Sequence, residues 1–367
     1  MKHICLVGSD NYLALKPGES PLPVSGEAVQ QILLARAFLN LGYEVSTVVN
    51  PLDAPIDETV DGIRILSAFT RRSGVPVVRF IHPRATGVLR ALSEVDADIY
   101  CQAPAGVVTG LTAMFCRWKH RKFIFRVASD VDCIPGRQLI AYWRDRRLFE
   151  YGLRRADHIA VQSRYQKELL AANYGLDSTV VNMAMELPVE DIDDNRDIDV
   201  LWISNLKLVK RPDRALDIAE RLPDVRFTMI GGVIQGEERY YAEMEQRASR
   251  LPNVDFLGQL PYREVNEYLA RSKIFLNTSD IEGFPNTFLQ AWVRKVPVVS
   301  FFDPDSLISR EGLGRRPSTD DEMCAALSEL LGNAELRERI GEKAHAYALD
   351  HHSPESAAKQ YIELCET

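Results

Sequence analysis

The segment KIFLNTSDIEGFPNTFLQAWVRKVPVVS, residues 273–300, decides the fold class. The apolar run that begins it is typical of a buried strand, and VPVVS at 296–300 predicts a second strand. Between them, Gly283 and Pro285 predict a sharp turn, and the apolar positions after Pro285 predict a helix. A strand, a helix and a second strand in this order form a βαβ unit, which implies a parallel sheet.

The same alternation runs through the chain in two series. In the first series, strands are predicted at 2–8, 43–50, 99–101, 123–127, 158–161 and 179–181, and helices at 25–42, 105–119, 137–155 and 163–173. After the acidic stretch 183–199, strands are predicted at 199–204, 225–232, 254–258, 273–279 and 296–300, and helices at 212–221, 237–250, 261–271 and after Pro285. A helical tail follows from residue 320.

Two consecutive series, each long enough for its own sheet, predict an α/β protein with two Rossmann-like lobes and a cleft between them. We place the first lobe at residues 1–185 and the second at 198–350. The last helix, 351–367, is expected to pack back toward the first lobe.

The composition favours a cytoplasmic globular protein. No run of about eighteen uncharged apolar residues occurs, and the N-terminus is predicted to be a first strand and not a signal peptide. The six cysteines are scattered and form no C-x-x-C pair, which argues against a disulfide framework and a cysteine zinc site.

The net charge of −8 is unevenly distributed. Residues 1–185 carry 22 Lys and Arg against 18 Asp and Glu, whereas the remainder carries 22 against 34. The basic excess is densest at 117–126 and 144–155. It predicts either an ordinary solvated helix face or, for a lipid-linked or polyanionic acceptor, a peripheral contact with an anionic membrane; a nucleic-acid partner is not predicted.

Ligands of Rossmann-like lobes bind where loops leave the carboxyl ends of the strands. In the loop that follows residue 279, Glu282 precedes Gln290 by eight residues, so both can border one ligand. The free N–H groups at the start of the following helix would suit a phosphate. Alternatively, Glu282 only caps the helix and Gln290 is a surface residue.

Two further loops carry candidate residues. In SNLKLVKRPD, residues 204–213, Lys207, Lys210 and Arg211 stand at a helix start, where an anion would explain three cations. Solvated loop cations are the alternative. Gly26 begins the first long helix, but no G-x-G-x-x-G follows the first strand, so a dinucleotide cofactor is poorly supported.

Together these stretches resemble the family 4 glycosyltransferases of the GT-B fold, which retain configuration at the sugar carbon. EGFPNTFLQAW…VPVVS is similar to the family's E-x7-E segment and WISNLKLVKRPD to its G-R-x-x-x-x-K-x-x-D loop. Three further stretches are similar to segments of the family: FTMIGG, VDFLGQLPYREVNEYLARSKIFLNTSD and YGLRRADHIAVQSRYQKELL. The resemblance implies a nucleotide-diphosphate sugar donor held mostly by the second lobe, an unidentified acceptor (glycan, lipid-linked or small molecule) held by the first, and no metal or resident cofactor.

The resemblance also implies roles by position. Lys210 would hold the diphosphate and Glu282 the donor sugar, as the two catalytic residues. The residues expected to line the donor are Gly283, Phe284, Pro285, Asn286 and Thr287 at the sugar and phosphates, Gln290 at the ribose, Gly232 at the base and Gly26 at the diphosphate.

The chain departs from the family pattern at three places. Asn205 stands where an arginine is expected, so Lys207 or Arg211 would have to replace that cation. Gln290 stands where a second glutamate is expected. Ala128, Ser129 and Asp130 occupy the region of a common histidine, which makes Asp130 a candidate substrate contact. Gln102, in YCQAPAG, is offered in place of the histidine.

The sequence also permits other interpretations. DVD at 130–132 could bind a metal, although paired aspartates are common in loops. His82 is a candidate for acceptor binding, whereas Trp143 and Trp292 are expected in the core. The two rival functions are a catalytically impaired nucleotide-sugar-binding or scaffold protein, and a nucleotide-sugar epimerase or hydrolase, for which no general base can be assigned.

Overall fold

A computed structural model describes residues 2–16, 24–49, 54–70, 74, 80–188, 196–234 and 236–366. The chain divides into two compact units. Unit 1 runs to Ala184 and also includes the chain from Pro354 onward, and unit 2 is Met185–Ser353. Each unit has its own sheet and its own hydrophobic core.

Unit 1 contains an eight-stranded sheet in the order β3-β4-β2-β1-β5-β6-β7-β8, in which only β3 is antiparallel to its neighbour. The strands are β1 (His3–Val7), β2 (Glu44–Val49), β3 (Asp57–Val60), β4 (Ile63–Ser67), β5 (Ile99–Gln102), β6 (Lys122–Arg126), β7 (His158–Val161) and β8 (Thr179–Val180). The helices before the unit boundary are α1 (Asn11–Leu15), α2 (Gly26–Asn40), α3 (Thr86–Val95), α4 (Val107–Lys119), α5 (Trp143–Leu153) and α6 (Arg164–Tyr174).

Burial on both faces explains why the sequence of β1 is an uninterrupted apolar run. Ile4 and Leu6 belong to the core cluster that includes α2, whereas Cys5 and Val7 face the cluster that includes α3 and α4. Helices therefore cover both faces of the sheet, as parallel sheets require. β1 pairs with β2 on one side and β5 on the other, so the strand order reverses at this point.

Unit 2 contains a six-stranded parallel sheet in the order β11-β10-β9-β12-β13-β14. Its strands are β9 (Ile198–Ile203), β10 (Phe227–Ile230), β11 (Val254–Gly258), β12 (Ser272–Asn277), β13 (Val298–Ser300) and β14 (Gly314–Arg315). Its helices are α7 (Pro212–Arg221), α8 (Glu238–Ala248), α9 (Tyr262–Ala270), α10 (Asn286–Trp292), α11 (Leu307–Glu311), α12 (Asp320–Gly332) and α13 (Ala334–His351).

The strand order of unit 2 has the pattern 3-2-1-4-5-6 of a Rossmann fold. The order reverses between β9 and β12, which pair directly. The loops that leave these two neighbouring strands, at residues 204–211 and 278–285, therefore flank the switch point where such sheets bind ligands. This topology confirms the predicted fold class, an α/β protein with two Rossmann-like parallel sheets.

The final helix, α14 (Pro354–Glu366), belongs to unit 1 and packs on α2. Ala357, Ala358 and Tyr361 join the same buried cluster as Phe38, and the rings of Phe38 and Tyr361 meet edge to face at 6.4 Å. No helix in the described part of the chain is long and apolar enough to cross a membrane.

Some local predictions were wrong. The helix predicted from residue 137 begins at Trp143, because Gln138 donates a side-chain hydrogen bond to the Tyr174 hydroxyl and Ile140 packs on the core, which holds the preceding residues in turns. Trp143 is consequently 77% exposed and not in the core, whereas the prediction that Trp292 is buried is confirmed. Six elements, β3, β4, β14, α1, α3 and α11, were not predicted.

Candidate functional site

The centre of the candidate site is an ion pair in unit 2. The Nζ atom of Lys210 lies 2.5 Å from Oε2 of Glu282, and Nδ2 of Asn277 donates to Oε1 of Glu282 at 3.4 Å. The side chains of Lys210 and Glu282 are 22% and 11% exposed, so the pair is shielded but reachable. The structure thus brings together the two residues that sequence analysis singled out as catalytic candidates.

Hydrogen bonds at the end of β12 hold the Lys210 loop in place. The Thr278 hydroxyl donates to the carbonyl oxygen of Lys210 at 3.0 Å and accepts from the Trp202 indole N–H at 2.9 Å. The Asp280 N–H donates to the Val209 carbonyl oxygen at 2.9 Å. Because these bonds join the loop after β9 to the loop after β12, the positions of the cation and of the carboxylate are fixed relative to each other.

Arg211 is committed to local ion pairs. It has a left-handed backbone conformation (φ 52°), and its guanidinium binds Asp213 at 2.9 Å and Asp280 at 3.3 Å. These partners, Asp213 first, raise the pKa of Arg211. Lys207, by contrast, forms no ion pair within the described ranges. Of the two candidates to replace the cation missing at Asn205, Lys207 is therefore the one whose charge is available.

The Gly-Phe-Pro-Asn turn, residues 283–286, packs on an aromatic cluster. The Phe284 ring lies 6.2 Å from the Trp292 ring and 5.4 Å from the His352 ring, and Tyr347 contacts both of these partners. Helix α10 begins directly after Pro285 and includes Asn286 and Thr287 in its first turn. The cluster fixes the path of the turn beside Glu282.

Gln290 belongs to a separate group of polar side chains. Its Nε2 donates to Oδ1 of Asn266 at 3.0 Å, and its carbonyl oxygen accepts from Arg294 at 3.1 Å. Tyr262 also hydrogen-bonds to Gln290 and Asn266, and burial raises the pKa of Tyr262. The amide at position 290 is thus already engaged by α9.

The loop after β10 adjoins the Lys210 loop. The Leu206 N–H donates to the Gly232 carbonyl oxygen at 3.0 Å, and a Cβ atom on Gly232 would lie 2.7 Å from Oε1 of Gln259. Gly232 therefore permits a close approach between the loops after β9, β10 and β11. This is the position that the family resemblance assigns to the donor base.

In unit 1, Gly26 is the first residue of α2, and the Ser25 hydroxyl caps this helix by accepting from the Ala28 N–H at 3.2 Å. The next residue, Glu27, forms an ion pair with Arg126 at the end of β6. Arg126 is buried and also interacts with Tyr361 of α14. This ion pair thus fixes the start of α2.

The DVD segment does not form a metal site in the described part of the chain, where no group of three or more His, Cys, Asp or Glu side chains is arranged to bind an ion. Oδ1 of Asp130 accepts from Gln166 Nε2 at 2.9 Å. Asp132 accepts from the Ser129 N–H, and burial raises the pKa of this carboxyl to about 7. His82 is exposed and contacts Thr86.

Sequence analysis missed Asn277, Thr278 and the buried pair of Glu27 with Arg126. The polar letters NTS at the end of an apolar strand were a usable signal for the first two. Glu27 and Arg126 are 99 residues apart, and no local pattern links them.

Two family models match the chain in tandem. Residues 24–183 match the Glycosyltransferase Family 4 model and residues 188–347 match the model described as Glycosyl transferases group 1. A curated relative, Glycosyltransferase 1 domain-containing protein 1 of Xenopus tropicalis, is 26% identical over 147 residues. That match covers 40% of this chain and 42% of the relative, so it spans less than half of either protein.

Solved structures share the fold across the whole chain. HepE of Anabaena in complex with UDP and glucose has a TM-score of 0.75 at 17% identity, with 100% of both chains covered. Sucrose-phosphate synthase of Thermosynechococcus elongatus has a TM-score of 0.78 at 14% identity, with 100% of this chain and 98% of that chain covered. With both of its domains matched by family models, the chain belongs to the family 4-like glycosyltransferases of the GT-B fold.

Proposed function

We propose that this protein transfers a sugar from a nucleotide-diphosphate sugar to an acceptor, with retention of configuration and without a metal ion. The observation that carries the proposal is the contact between Lys210 and Glu282 at the switch point of the unit 2 sheet. The nucleotide sugar is supported by the family membership and by HepE, a protein of the same fold that is bound to UDP in its crystal structure.

The chemical demand of this reaction is electrostatic. As the bond between the sugar C1 and the diphosphate oxygen breaks, negative charge develops on the leaving nucleoside diphosphate. The acceptor hydroxyl forms the new bond to C1, and its proton passes to the departing diphosphate oxygen on the same face. A fixed cation beside that oxygen lowers the barrier, and Lys210 is held for this role by the Thr278 contacts.

Glu282 and the turn after it would hold the donor sugar. A carboxylate accepts hydrogen bonds from sugar hydroxyls, and Asn277 keeps the Glu282 carboxylate oriented. When the donor binds, its diphosphate competes with Glu282 for the Lys210 ammonium. The ion pair at 2.5 Å is thus the ligand-free arrangement of a site whose two charges serve two parts of one substrate.

The remaining predicted contacts extend from this centre. Lys207 provides the second cation for the diphosphate in place of an arginine at Asn205. Gln290 contacts the ribose through its amide, and Gly232 lies at the base. Gly26 and Asp130 of unit 1 complete the list of proposed substrate contacts, toward the diphosphate and the acceptor. No resident cofactor is needed for this chemistry.

A donor panel tests the proposal. The purified chain is incubated with UDP-, GDP- and ADP-sugars, alone and with candidate acceptors, and the released nucleoside diphosphate is measured together with the anomeric configuration of the product. One donor should be consumed, the product should be retaining, and chelation of divalent ions should leave the rate unchanged. Lys210→Met should lower the rate at least about a hundredfold, the typical loss for one oxyanion-stabilising group.

A matched control is available in unit 2. Lys273, near the start of β12, pairs with Asp199 at 2.7 Å, in a similarly half-buried ion pair. Lys273→Met removes an equal charge from unit 2 and should leave donor turnover within about threefold. Equal losses in the two variants would refute the assignment of the site, and consumption of no donor would refute the proposed transfer.

A second candidate is a nucleotide-sugar-binding protein with impaired catalysis. Two observations favour it: Asn205 supplies no cation, and the Gln290 amide is already hydrogen-bonded to Asn266. Donor-dependent thermal stabilisation without turnover would select this function. A nucleotide-sugar epimerase or hydrolase would instead convert donor without acceptor and needs a general base, which neither the sequence nor the described site identifies.

A further inference from the structure

Unit 1 carries a cluster of exposed apolar side chains around the start of α5. Leu139 is 86% exposed, Trp143 77%, Tyr142 67% and Ile81 64%. The exposed arginines beside them are Arg84, Arg137, Arg144 and Arg147. We call this set of eight residues the Trp143 surface. Exposure of several large apolar groups in one place marks an interaction site, whereas single exposed residues are ordinary.

The exposure of Leu139 is fixed by its neighbours. Gln138 is buried and donates to the Tyr174 hydroxyl, while Ile140 packs against the core of unit 1. The Arg146 guanidinium also donates to the Ile140 carbonyl oxygen at 3.3 Å. With residues on both sides anchored to the body of unit 1, the chain holds Leu139 in solvent at a defined place.

A cation–π contact joins the two segments of the surface. The Arg144 guanidinium lies 3.5 Å from the centre of the Phe80 ring, which places Ile81 next to the start of α5. Trp143 and Arg147 are four residues apart on α5 and so share one face of this helix. The apolar groups and the cations therefore alternate within one surface.

The charge of this surface is strongly positive. Arg84, Arg137 and Arg147 form no ion pair with any residue in the described ranges, and Asp145 is the carboxylate that pairs with Arg144. The other basic stretch singled out in the sequence differs: Arg126 is buried against Glu27, and Arg121 pairs with Asp96 and Asp98.

We propose that the Trp143 surface docks unit 1 on an anionic lipid membrane, with Leu139, Tyr142 and Trp143 inserted among the lipid headgroups. Trp and Tyr favour the interface between headgroups and acyl chains, and arginines beside them attract anionic lipids. This inference goes beyond the proposed reaction and does not depend on which sugar is transferred. Docking would place the protein at the surface where a lipid-borne acceptor is found.

The aliphatic members of the surface favour lipid over an anionic glycan. Sugar rings stack on aromatic faces, but Leu139 and Ile81 offer no hydrogen bond to a hydroxyl-rich ligand. Their exposure is instead relieved by contact with acyl chains. An anionic glycan is therefore the alternative occupant that the experiment must separate.

Sedimentation with vesicles tests the proposal. The full chain is mixed with vesicles of phosphatidylcholine alone, or of phosphatidylcholine and phosphatidylglycerol, at low and at high salt. The chain should sediment with the anionic vesicles only, and high salt should weaken binding. Leu139→Ser combined with Trp143→Ser should weaken binding at least about tenfold, and Arg144→Gln combined with Arg147→Gln by about fivefold for each arginine removed.

Trp118 provides the matched control. It is 70% exposed in the last turn of α4, with the Lys119 ammonium 4.4 Å from its ring centre, so it too pairs an exposed indole with a cation. Because α4 ends just before β6 begins and α5 follows the other end of β6, the two tryptophans lie at opposite edges of the sheet. Trp118→Ser should leave vesicle binding unchanged.

Three results would overturn the proposal. They are the absence of sedimentation with anionic vesicles, a loss in Trp118→Ser equal to that in the variant that combines Leu139→Ser with Trp143→Ser, and retention on immobilised heparin without vesicle binding, which would assign the surface to an anionic glycan. Melting temperatures of all variants show that they are folded. The readout contains no nucleotide sugar, so its failure is distinct from failure of the proposed reaction.

Discussion

Each unit has a cation–carboxylate pair at the carboxyl end of its sheet, and the two pairs differ in their surroundings. In unit 2, Lys210 and Glu282 are 22% and 11% exposed and are carried by loops. In unit 1, Arg126 is 7% exposed at the end of a strand, where Glu27 binds it and Tyr361 of α14 covers it. The two carboxylates are equally shielded, with Glu27 12% exposed, so the pairs differ in their cations: Lys210 is reachable and Arg126 is enclosed.

The difference shows that charge type alone does not make a site. A buried guanidinium with its hydrogen bonds satisfied has no capacity left for a substrate, and it serves to connect β6, α2 and α14. A lysine on a loop, with three donors and a flexible stem, can leave its carboxylate for a phosphate. Variants of the two pairs distinguish a structural role from a ligand-binding role.

Removal of the buried cation should have the largest effect. Arg126→Met leaves the Glu27 carboxylate, which is 12% exposed, without its cation, so the free energy of unfolding should fall by about 3–5 kcal/mol. Urea denaturation of the chain, followed by tryptophan fluorescence or circular dichroism, measures the loss. The double variant Glu27→Gln with Arg126→Met should recover part of it, and a single variant as stable as the wild type would mean that the pair is not structural.

Loss of the accessible carboxylate should affect the sugar more than the fold. Glu282→Gln keeps a hydrogen-bonding side chain but removes the charge, so donor affinity should fall about tenfold or more, which corresponds to about 1.4 kcal/mol. Affinity for the bare nucleoside diphosphate should stay within about threefold. Calorimetric titration of both ligands provides the comparison, and an equal loss for both would place Glu282 at the phosphates.

Asp132 predicts a pH dependence of stability. Because burial raises the pKa of this carboxyl from 3.8 to about 7 in the folded chain, the unfolded chain ionises first as the pH rises. Its contribution to stability should therefore decline between about pH 4 and pH 7, by up to about 1.4 kcal/mol per pH unit, and then level off.

The Asp132→Asn variant isolates this contribution. The difference in unfolding free energy between wild type and variant should favour the wild type most near pH 4 and least above pH 7. Parallel denaturation curves over this range measure it. A constant difference would show that Asp132 is ionised throughout and that burial does not govern its titration.

The smallest effect is expected for the hydrogen bond between Gln290 and Asn266. Asn266→Ala removes the acceptor of the Gln290 amide, which should cost about 0.5–1.5 kcal/mol of stability and free that amide for the ribose. Nucleoside diphosphate affinity should then stay equal or rise slightly. Thermal denaturation and titration of the same sample measure both quantities, and a large loss of affinity would place Asn266 itself at the ligand.

Alternation of apolar segments predicted the two parallel sheets, because each βα step leaves a periodic record in the sequence. It also identified the Lys210 and Glu282 loops, since loops that follow strands of a Rossmann sheet converge at one edge. It did not find β3, in which no residue is buried, or β4, where Arg64 interrupts a short apolar run. Nor could it find Arg126 with Glu27, because an ion pair between residues 99 positions apart leaves no local signal. The roles assigned to the site residues remain predictions.

The most direct test of the ligand site is a calorimetric titration of the nucleoside diphosphate of whichever donor the panel selects into the wild type, Lys210→Met and Arg126→Met, with each chain confirmed to be folded at the working temperature. We predict that the wild type binds, that Lys210→Met loses at least about tenfold in affinity and loses less stability than Arg126→Met, and that Arg126→Met binds nearly as well as the wild type although it is much less stable. Tight binding by Lys210→Met, with binding lost in Arg126→Met, would contradict the assignment of the ligand site to unit 2.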